Sequence, residues 1–363
     1  MDNGWLAAAL MVVRNVEPSV RDKAQNLLHA MNFGFYYDPA ARGANYPAGE
    51  LRGGFYPDKP TGCSVRGNNV GRGPDVYYTC NHYDILNTEP RIATYIGIAM
   101  GQIPAKGYFG TNRTFPDTCD WAWLKQQPTG VARNYLGVPV YEGTYQYRGE
   151  HFVPTWGGDM FEAMMPNLFV PEEQWGPNSW GLNHPAYVRG QIEHGMDEAD
   201  YGYWGFSPAS NPYGGYGAYG APPLGMSPDG YPSDLQGTKV DYGFGSCRPA
   251  GPPPASWGDG VVTPHASFLA LRYAPQEAMA NLAKLRQNFP VYGAGGFKDS
   301  VAVRSGKVSD RYLALDQGMI LGAVGNAVAG DVLRADFSRG EVEKTIKPLL
   351  GLEQFSIPAD QRR

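Results

Sequence analysis

Leu315-Asp316-Gln317-Gly318-Met319-Ile320-Leu321-Gly322-Ala323-Val324-Gly325-Asn326-Ala327-Val328-Ala329-Gly330-Asp331-Val332-Leu333 is expected to form a helix, and this helix sets the fold class. It is a long apolar run sprinkled with small residues: Gly318, Gly322, Ala323, Gly325, Ala327 and Ala329. That character suits a helix packed closely against other helices. Further helix signals stand on both sides of it. Upstream, Thr263-Pro264 pairs a capping residue with proline at the first helical position and opens a helix through Arg272. Pro275 opens another, with Met279, Leu282 and Leu285 on one face. Downstream, residues 341–352 form the last. Toward the N-terminus, helices are expected over Asn3–Asn15, Pro18–Met31, from Glu89-Pro90 through Met100, over Met160–Val170, and over His184–Ala199. The total is about nine helices.

Strand signals are weaker. Arg133–Phe152 alternates through Val138, Val140, Tyr141, Tyr145 and Tyr147, which predicts a hairpin. A second is expected over Val301–Val308, turning at Arg304-Ser305-Gly306-Lys307. Neither builds a sheet core, so the fold class is mainly α with irregular and short β-hairpin loops. Residues 201–257 are the compositional outlier, with Tyr213-Gly214-Gly215-Tyr216-Gly217-Ala218-Tyr219-Gly220, Pro222-Pro223 and Pro252-Pro253-Pro254. Low-complexity disorder is one reading of this loop. Its many aromatic rings favour an ordered, functional one.

The 363 residues carry 30 Lys and Arg against 35 Asp and Glu, a net charge of −5, and only 18% are charged. This gives no basic footprint for nucleic acid. Apolar residues make up 42%, enough for a core and too many for a disordered chain. The 48 glycines and 31 prolines, about a fifth of the chain, exclude a coiled coil or simple bundle. No apolar run is long enough to span a membrane. The 24 tyrosines among few charges suit a flat, neutral, hydroxylated ligand, and equally a large protein with ordered loops.

Four cysteines allow three pairings. Cys63 and Cys80 flank one Gly-rich loop and are paired first, leaving Cys119 with Cys247; four reduced thiols in a cytosolic protein are the alternative. Histidines 82, 151, 184, 194 and 265 make no His-x-x-x-His pair, and there is no Cys-x-x-Cys, nucleophile elbow or phosphate-binding glycine loop. No cofactor or metal is therefore expected. No signal peptide is visible. The chain opens directly on the apolar helix beginning Trp5, which leads us to expect sequence upstream of Met1.

Five strings at helix openings and loops occur in order: Asp2-Asn3-Gly4-Trp5-Leu6-Ala7-Ala8-Ala9-Leu10, Gly157-Gly158-Asp159-Met160-Phe161-Glu162-Ala163-Met164-Met165-Pro166, Tyr203-Trp204-Gly205-Phe206-Ser207, Asp259-Gly260-Val261-Val262-Thr263-Pro264 and Tyr312-Leu313-Ala314-Leu315-Asp316-Gln317-Gly318. Together they resemble the glucoamylase-like domain family. That family includes glycoside hydrolase family 144 β-1,2-glucanases and the related domain of cyclic β-1,2-glucan synthases. The resemblance spans nearly the whole chain. It implies one catalytic domain over residues 1–363, an (α/α)6 barrel with its cleft formed by loops at one end, incomplete at the N-terminus because such a barrel has more helices than are read here. It further implies a secreted or cell-envelope glycoside hydrolase acting on a neutral glucan-like poly- or oligosaccharide. The alternatives are a transglycosylase on the same scaffold and a carbohydrate-binding protein without catalysis.

Glycoside hydrolysis usually needs two carboxyl groups, one protonated and one charged. Glu162 matches the glutamate that the resemblance marks as acid, and apolar Phe161, Met164 and Met165 around it would raise its pKa. Its spacing from Asp159 also fits a capping box. Asp316 is the expected base, directly or through water, with an N-cap role as the plain alternative. Asp2 is a third cleft carboxylate or an N-cap. Asp259 holds a sugar hydroxyl or merely shapes a turn. Asp299 fits a Gly-Phe-x-Asp element of the family, with Lys298 standing where an aromatic residue is usual. Trp204, Tyr203, Tyr216 and Tyr219 are expected to stack on sugar rings, against ordinary loop packing. Arg91 reaches a ligand hydroxyl or pairs with a surface carboxylate.

Overall fold

Proline and glycine cut two of the expected helices short. Pro166 has no N–H to continue the helix opened by Asp159, so that helix ends at Met164 and a 3-10 turn, Pro166–Leu168, follows. Gly330 and Asp331 take left-handed backbone angles, φ 65° and 60°, and divide the Leu315–Leu333 run between two helices. The computed structural model describes residues 2–115, 118–119, 124–226, 241–252 and 257–357. Eleven α-helices lie among them: α1 Asp2–Val16, α2 Arg21–Ala30, α3 Arg91–Ala99, α4 Met160–Met164, α5 Glu172–Trp175, α6 Trp180–Glu193, α7 Pro264–Leu269, α8 Pro275–Asn288, α9 Ala314–Val328, α10 Val332–Ser338 and α11 Glu341–Leu352. The chain is mainly helical, as expected. The last helix has the expected bounds; α6 starts four residues earlier than expected and passes into a π-turn, His194–Glu198.

Helix packing runs from neighbour to neighbour. α1 touches α3, α3 touches α11, and α11 touches α5, which touches α6. α6 then touches α4, α4 touches α7, α7 touches α9, α9 touches α10, and α10 returns to α1. α2 lies against α1, and α8 against α7. The core has two main clusters of buried apolar side chains. One is centred on α4, α6 and α7, the other on α1, α3 and α11. Trp5 and Phe169 pack against both, with ring centroids 5.7 Å apart.

The hairpin expected over 133–152 is a three-stranded antiparallel sheet, Thr129–Tyr135, Val138–Tyr147 and Glu150–Phe152. Its turns, Leu136-Gly137 and Arg148-Gly149, have positive φ at both central residues, the geometry that matches strand twist. The expected Val301–Val308 hairpin forms, and Val261–Val262 adds a third strand to it. Two small sheets in residues 37–83 went unread in the sequence. Cys63–Cys80 closes one of these loops, and Cys119–Cys247 joins distant segments, the pairing that was expected. In the 201–257 loop, residues 227–240 and 253–256, with Pro253 and Pro254, lie outside the described residues. No helix among the described residues is long and apolar enough to cross a membrane.

Candidate active site

The site grows from the start of α4. Asp159 is its N-cap, accepting the Glu162 N–H at 2.8 Å. The Tyr203–Ser207 string supports the same turn: Phe206 O accepts from Met160 N, and Ser207 Oγ accepts from Phe161 N at 3.0 Å. Gly158, at φ 77°, lies so close to the Ala221 carbonyl that any Cβ would collide with it. A capping box would turn the Glu162 carboxylate back to the Asp159 N–H. Here Thr155 Oγ1 takes that N–H at 3.2 Å. The Glu162 carboxylate instead accepts from Trp156 N at 3.1 Å and faces Thr88 Oγ1 at 3.5 Å. The cap and the candidate acid are thus separate residues.

Glu162 is only 8% exposed. Burial first, then the charge of Asp159 and a hydrogen bond with it, hold the Glu162 carboxyl well above the usual carboxylate range. Burial also pushes Asp159 up to about 7 against its hydrogen bonds with Glu162. Glu89 joins them: Trp5 Nε1 donates to its Oε2 at 2.9 Å, while burial and the nearby Glu162 and Asp2 raise it to about 7. Tyr83 is pushed to about 12 by burial and by Glu89, Asp2 and Glu162.

A second carboxylate pair forms where α9 begins. Asp299 accepts from Ser210 N at 2.9 Å and Leu313 N at 3.0 Å, tying a short hairpin to the entry of α9. Asp316, in the first turn of α9, is buried against it; burial, then the charge of Asp299 and a hydrogen bond with it, raise Asp316 to about 9. Asp316 Oδ2 and His265 Nδ1 stand 3.4 Å apart without completing a hydrogen bond. Burial lowers His265 to about 4, despite the charge of Asp299, so it is neutral. Tyr216 feels the charges of both pairs. It is 60% exposed, and desolvation of its hydroxyl with the charges of Asp316, Asp159 and Asp299 pushes it to about 12.

Glu162 on α4 and Asp316 on α9 thus stand on helices that both pack on α7, Asp299 pairs with Asp316, Tyr216 feels the charges of Asp159, Asp299 and Asp316, and exposed Asp2 adds its charge at Glu89. Other expected residues fall elsewhere. Arg91 is neither a ligand contact nor a surface ion pair: it is buried, with Nε and Nη2 on Glu172 at 2.7 and 3.0 Å. Trp204, Tyr203 and Tyr219 are 2%, 8% and 1% exposed and lack a free face for a sugar. Tyr203 packs on Phe289 beneath Lys284, and Trp204 lies in the core around α4 and α7. Their rings are too large and apolar to leave in water. Asp259 takes the turn role. It accepts from Ser305 N and Oγ, both at 2.7 Å, and from the Tyr213 hydroxyl. Asp316 is not an N-cap, since Leu313 holds that position. Sequence reasoning missed Glu89, Tyr83, His265 and the pairing role of Asp159. The signals available were a buried glutamate just before Pro90, the N-cap of α3, and a buried histidine just after Thr263-Pro264, in the first turn of α7.

Two carboxyl pairs, each able to hold one proton and one charge, give the elements of acid–base chemistry beside an exposed tyrosine that feels charges from both. Among the described residues no group of three His, Cys, Asp or Glu side chains is placed to hold a metal ion.

Comparison with known proteins agrees with the sequence resemblance. The chain is 26% identical over 355 residues to the cyclic β-(1,2)-glucan synthase NdvB of Rhizobium meliloti, covering 94% of this chain and 10% of that protein. It thus spans about a tenth of that relative's length. An endo-β-1,2-glucanase from Chitinophaga pinensis, solved with sophorotriose and glucose, superposes with a TM-score of 0.58 at 16% identity, over 95% of this chain and 69% of that one. A β-1,2-glucanase from Parabacteroides distasonis gives a TM-score of 0.64 at 17% identity, over 95% and 44%. These two share the fold. The Glycoamylase family model matches residues 131–338, more than half of the sequence and the part that carries Glu162, Asp299 and Asp316, and the chain belongs to that family.

Proposed function

We propose that this protein is a glycoside hydrolase that cleaves a neutral glucan, with β-1,2-glucan as the first substrate to test, at an acid–base site between the Glu162 and Asp316 pairs. The observation that carries the reading is the buried Glu162, its carboxyl held well above the usual carboxylate range by burial and by Asp159 at the start of a short helix. Glu162 gives its proton to the leaving glycosidic oxygen. The base is Asp316 together with Asp299. Asp316 carries the proton of that pair, and the pair's one negative charge takes a proton from the water whose oxygen bonds to the anomeric carbon as the glycosidic C–O bond breaks. Tyr216 meets a sugar ring between them. The helix contacts that return from α10 to α1 support an (α/α)6 barrel with this site at one end. The two disulfides support a secreted or cell-envelope location.

The identity to a cyclic β-(1,2)-glucan synthase favours a second reading, transfer of the glycosyl group to a sugar hydroxyl in place of water. Reducing ends and product lengths from β-1,2-, β-1,3- and α-1,4-glucans separate the two, because transfer lengthens chains and hydrolysis only shortens them. In Glu162→Gln, cleavage falls by about 100-fold or more while glucan binding persists. Unchanged cleavage in that variant would remove Glu162 from the acid role.

A further inference from the structure

At the first turn of α1 a cavity of about 360 Å³ opens, within the range of small-ligand sites. Asn3, Phe35, Tyr36, Phe55 and Arg72 contribute to its wall. Phe55 is 39% exposed, although it is pinned edge-on to Phe35 at 5.2 Å and tilted on Tyr36 at 5.8 Å. Its strand is held in register, Phe55 opposite Tyr78, and Cys63–Cys80 closes the loop between. An aromatic ring fixed so firmly and left partly in water is a preformed platform. Polar groups stand beside it. Asn3 Nδ2 donates to the Tyr36 hydroxyl at 2.9 Å, and the exposed Arg72 makes no ion pair among the described residues.

The cavity and the candidate active site are linked through the first turn of α1: Asn3 lines the cavity, Trp5 donates to Glu89, and Thr88, next to Glu89, faces Glu162 at 3.5 Å. Asn3 follows Asp2, whose charge acts on Glu89 and Tyr83, and both of these feel Glu162. Trp5, one turn further along, holds Glu89. The first turn of α1 thus has the platform on one side, at Asn3, and the neighbours of Glu162 on the other, at Trp5.

We propose that the cavity is a distal subsite for one sugar ring of the same neutral glucan, which rests on the glycosidase reading above. The C–H face of the ring lies on Phe55 and Tyr36. Its hydroxyls meet the Asn3 amide and the Arg72 guanidinium, which supplies several donors. With Asp2 adjacent and a single cation on the wall, a neutral sugar fits better than an acidic one.

The test compares sophorotriose with a long linear β-1,2-glucan. The ratio of kcat/KM, long over short, falls about tenfold in Phe55→Ala and about threefold in Arg72→Ala. Both side chains are exposed, and thermal melting followed by circular dichroism checks that each variant is folded. A ratio unmoved in both folded variants overturns the subsite while leaving the glycosidase reading intact. If the wild type cleaves neither substrate, the glycosidase reading fails, and the subsite is judged by calorimetry in the Glu162→Gln protein. There, long-chain affinity lost on adding Phe55→Ala supports it, and equal affinity, or none before the change, overturns it.

Discussion

Asp159 is where two demands on one residue meet. As N-cap it must accept the Glu162 N–H, and as a charged neighbour it holds the Glu162 carboxyl above its ordinary range. The substitution Asp159→Asn would keep the first role and lose the second, since an amide oxygen caps a helix as well as a carboxylate does. The sign follows directly. A like charge disfavours ionisation, so removing it lowers the Glu162 pKa. In the proposed acid role Glu162 must be protonated to work, so activity is lost as pH rises through that pKa. Asp159→Asn therefore moves the alkaline limb of kcat/KM to lower pH, by about one unit. A pH–rate profile of the variant checks this, and an alkaline limb that stays in place or moves upward would show that Asp159 does not set the acid. The burial of Glu162 and its raised carboxyl were legible in the sequence from its apolar neighbours. Its coupling to Asp159 was visible only as a capping spacing, because a three-residue interval does not tell which oxygen bonds which N–H.

At the scale of elements, α4 has five residues and is too short to satisfy its own last carbonyls. Arg91, at the head of α3, supplies the missing donors. Its Nη1 donates to Glu162 O at 2.8 Å and its Nη2 to Ala163 O at 2.7 Å, while Nε and Nη2 hold Glu172 of α5. Burial works against the Glu172 charge, but the Arg91 charge and hydrogen bonds from His184 and Arg91 outweigh it and bring the carboxyl down to about 2. Arg91→Ala strands that carboxylate in the core and frees two helix carbonyls, and costs about 3–5 kcal/mol. Urea unfolding measures this, and a loss below about 1 kcal/mol would show the clamp to be dispensable. The sequence marked Arg91 as a residue of interest but misplaced it, since its partner lies 81 positions away. Long helices were read well because periodicity accumulates over several turns. Strands of two to four residues, such as Tyr37–Asp38 and Val76–Thr79, are too short to show alternation. The aromatic string around Trp204 misled for another reason: composition cannot tell a ring that packs under α4 from one that faces a ligand.

At the scale of the molecule, the fold is held by contacts between distant parts of the chain. α10 packs on α1, and Asn15 Nδ2 donates to Asp336 O at 2.5 Å across 321 positions. The helical class was legible from the glycine- and alanine-rich run before α10, but the return of that region to α1 was not, because nothing local encodes it. The two disulfides act on this long-range problem unequally. Cys63–Cys80 spans 17 positions and Cys119–Cys247 spans 128. Loop-closure entropy assigns about 3 kcal/mol to the first and about 5 kcal/mol to the second, because the longer link removes more freedom from the unfolded chain. The Cys119→Ser, Cys247→Ser double variant therefore loses more stability than Cys63→Ser, Cys80→Ser, by about 2 kcal/mol. The midpoints of chemical unfolding of both variants under oxidising conditions provide the comparison. The expected order holds only if the links work mainly by restraining the unfolded chain. If the short link proves the more costly to lose, its main effect is instead to hold the native loop bearing Phe55, and the same variant then also loses long-chain preference.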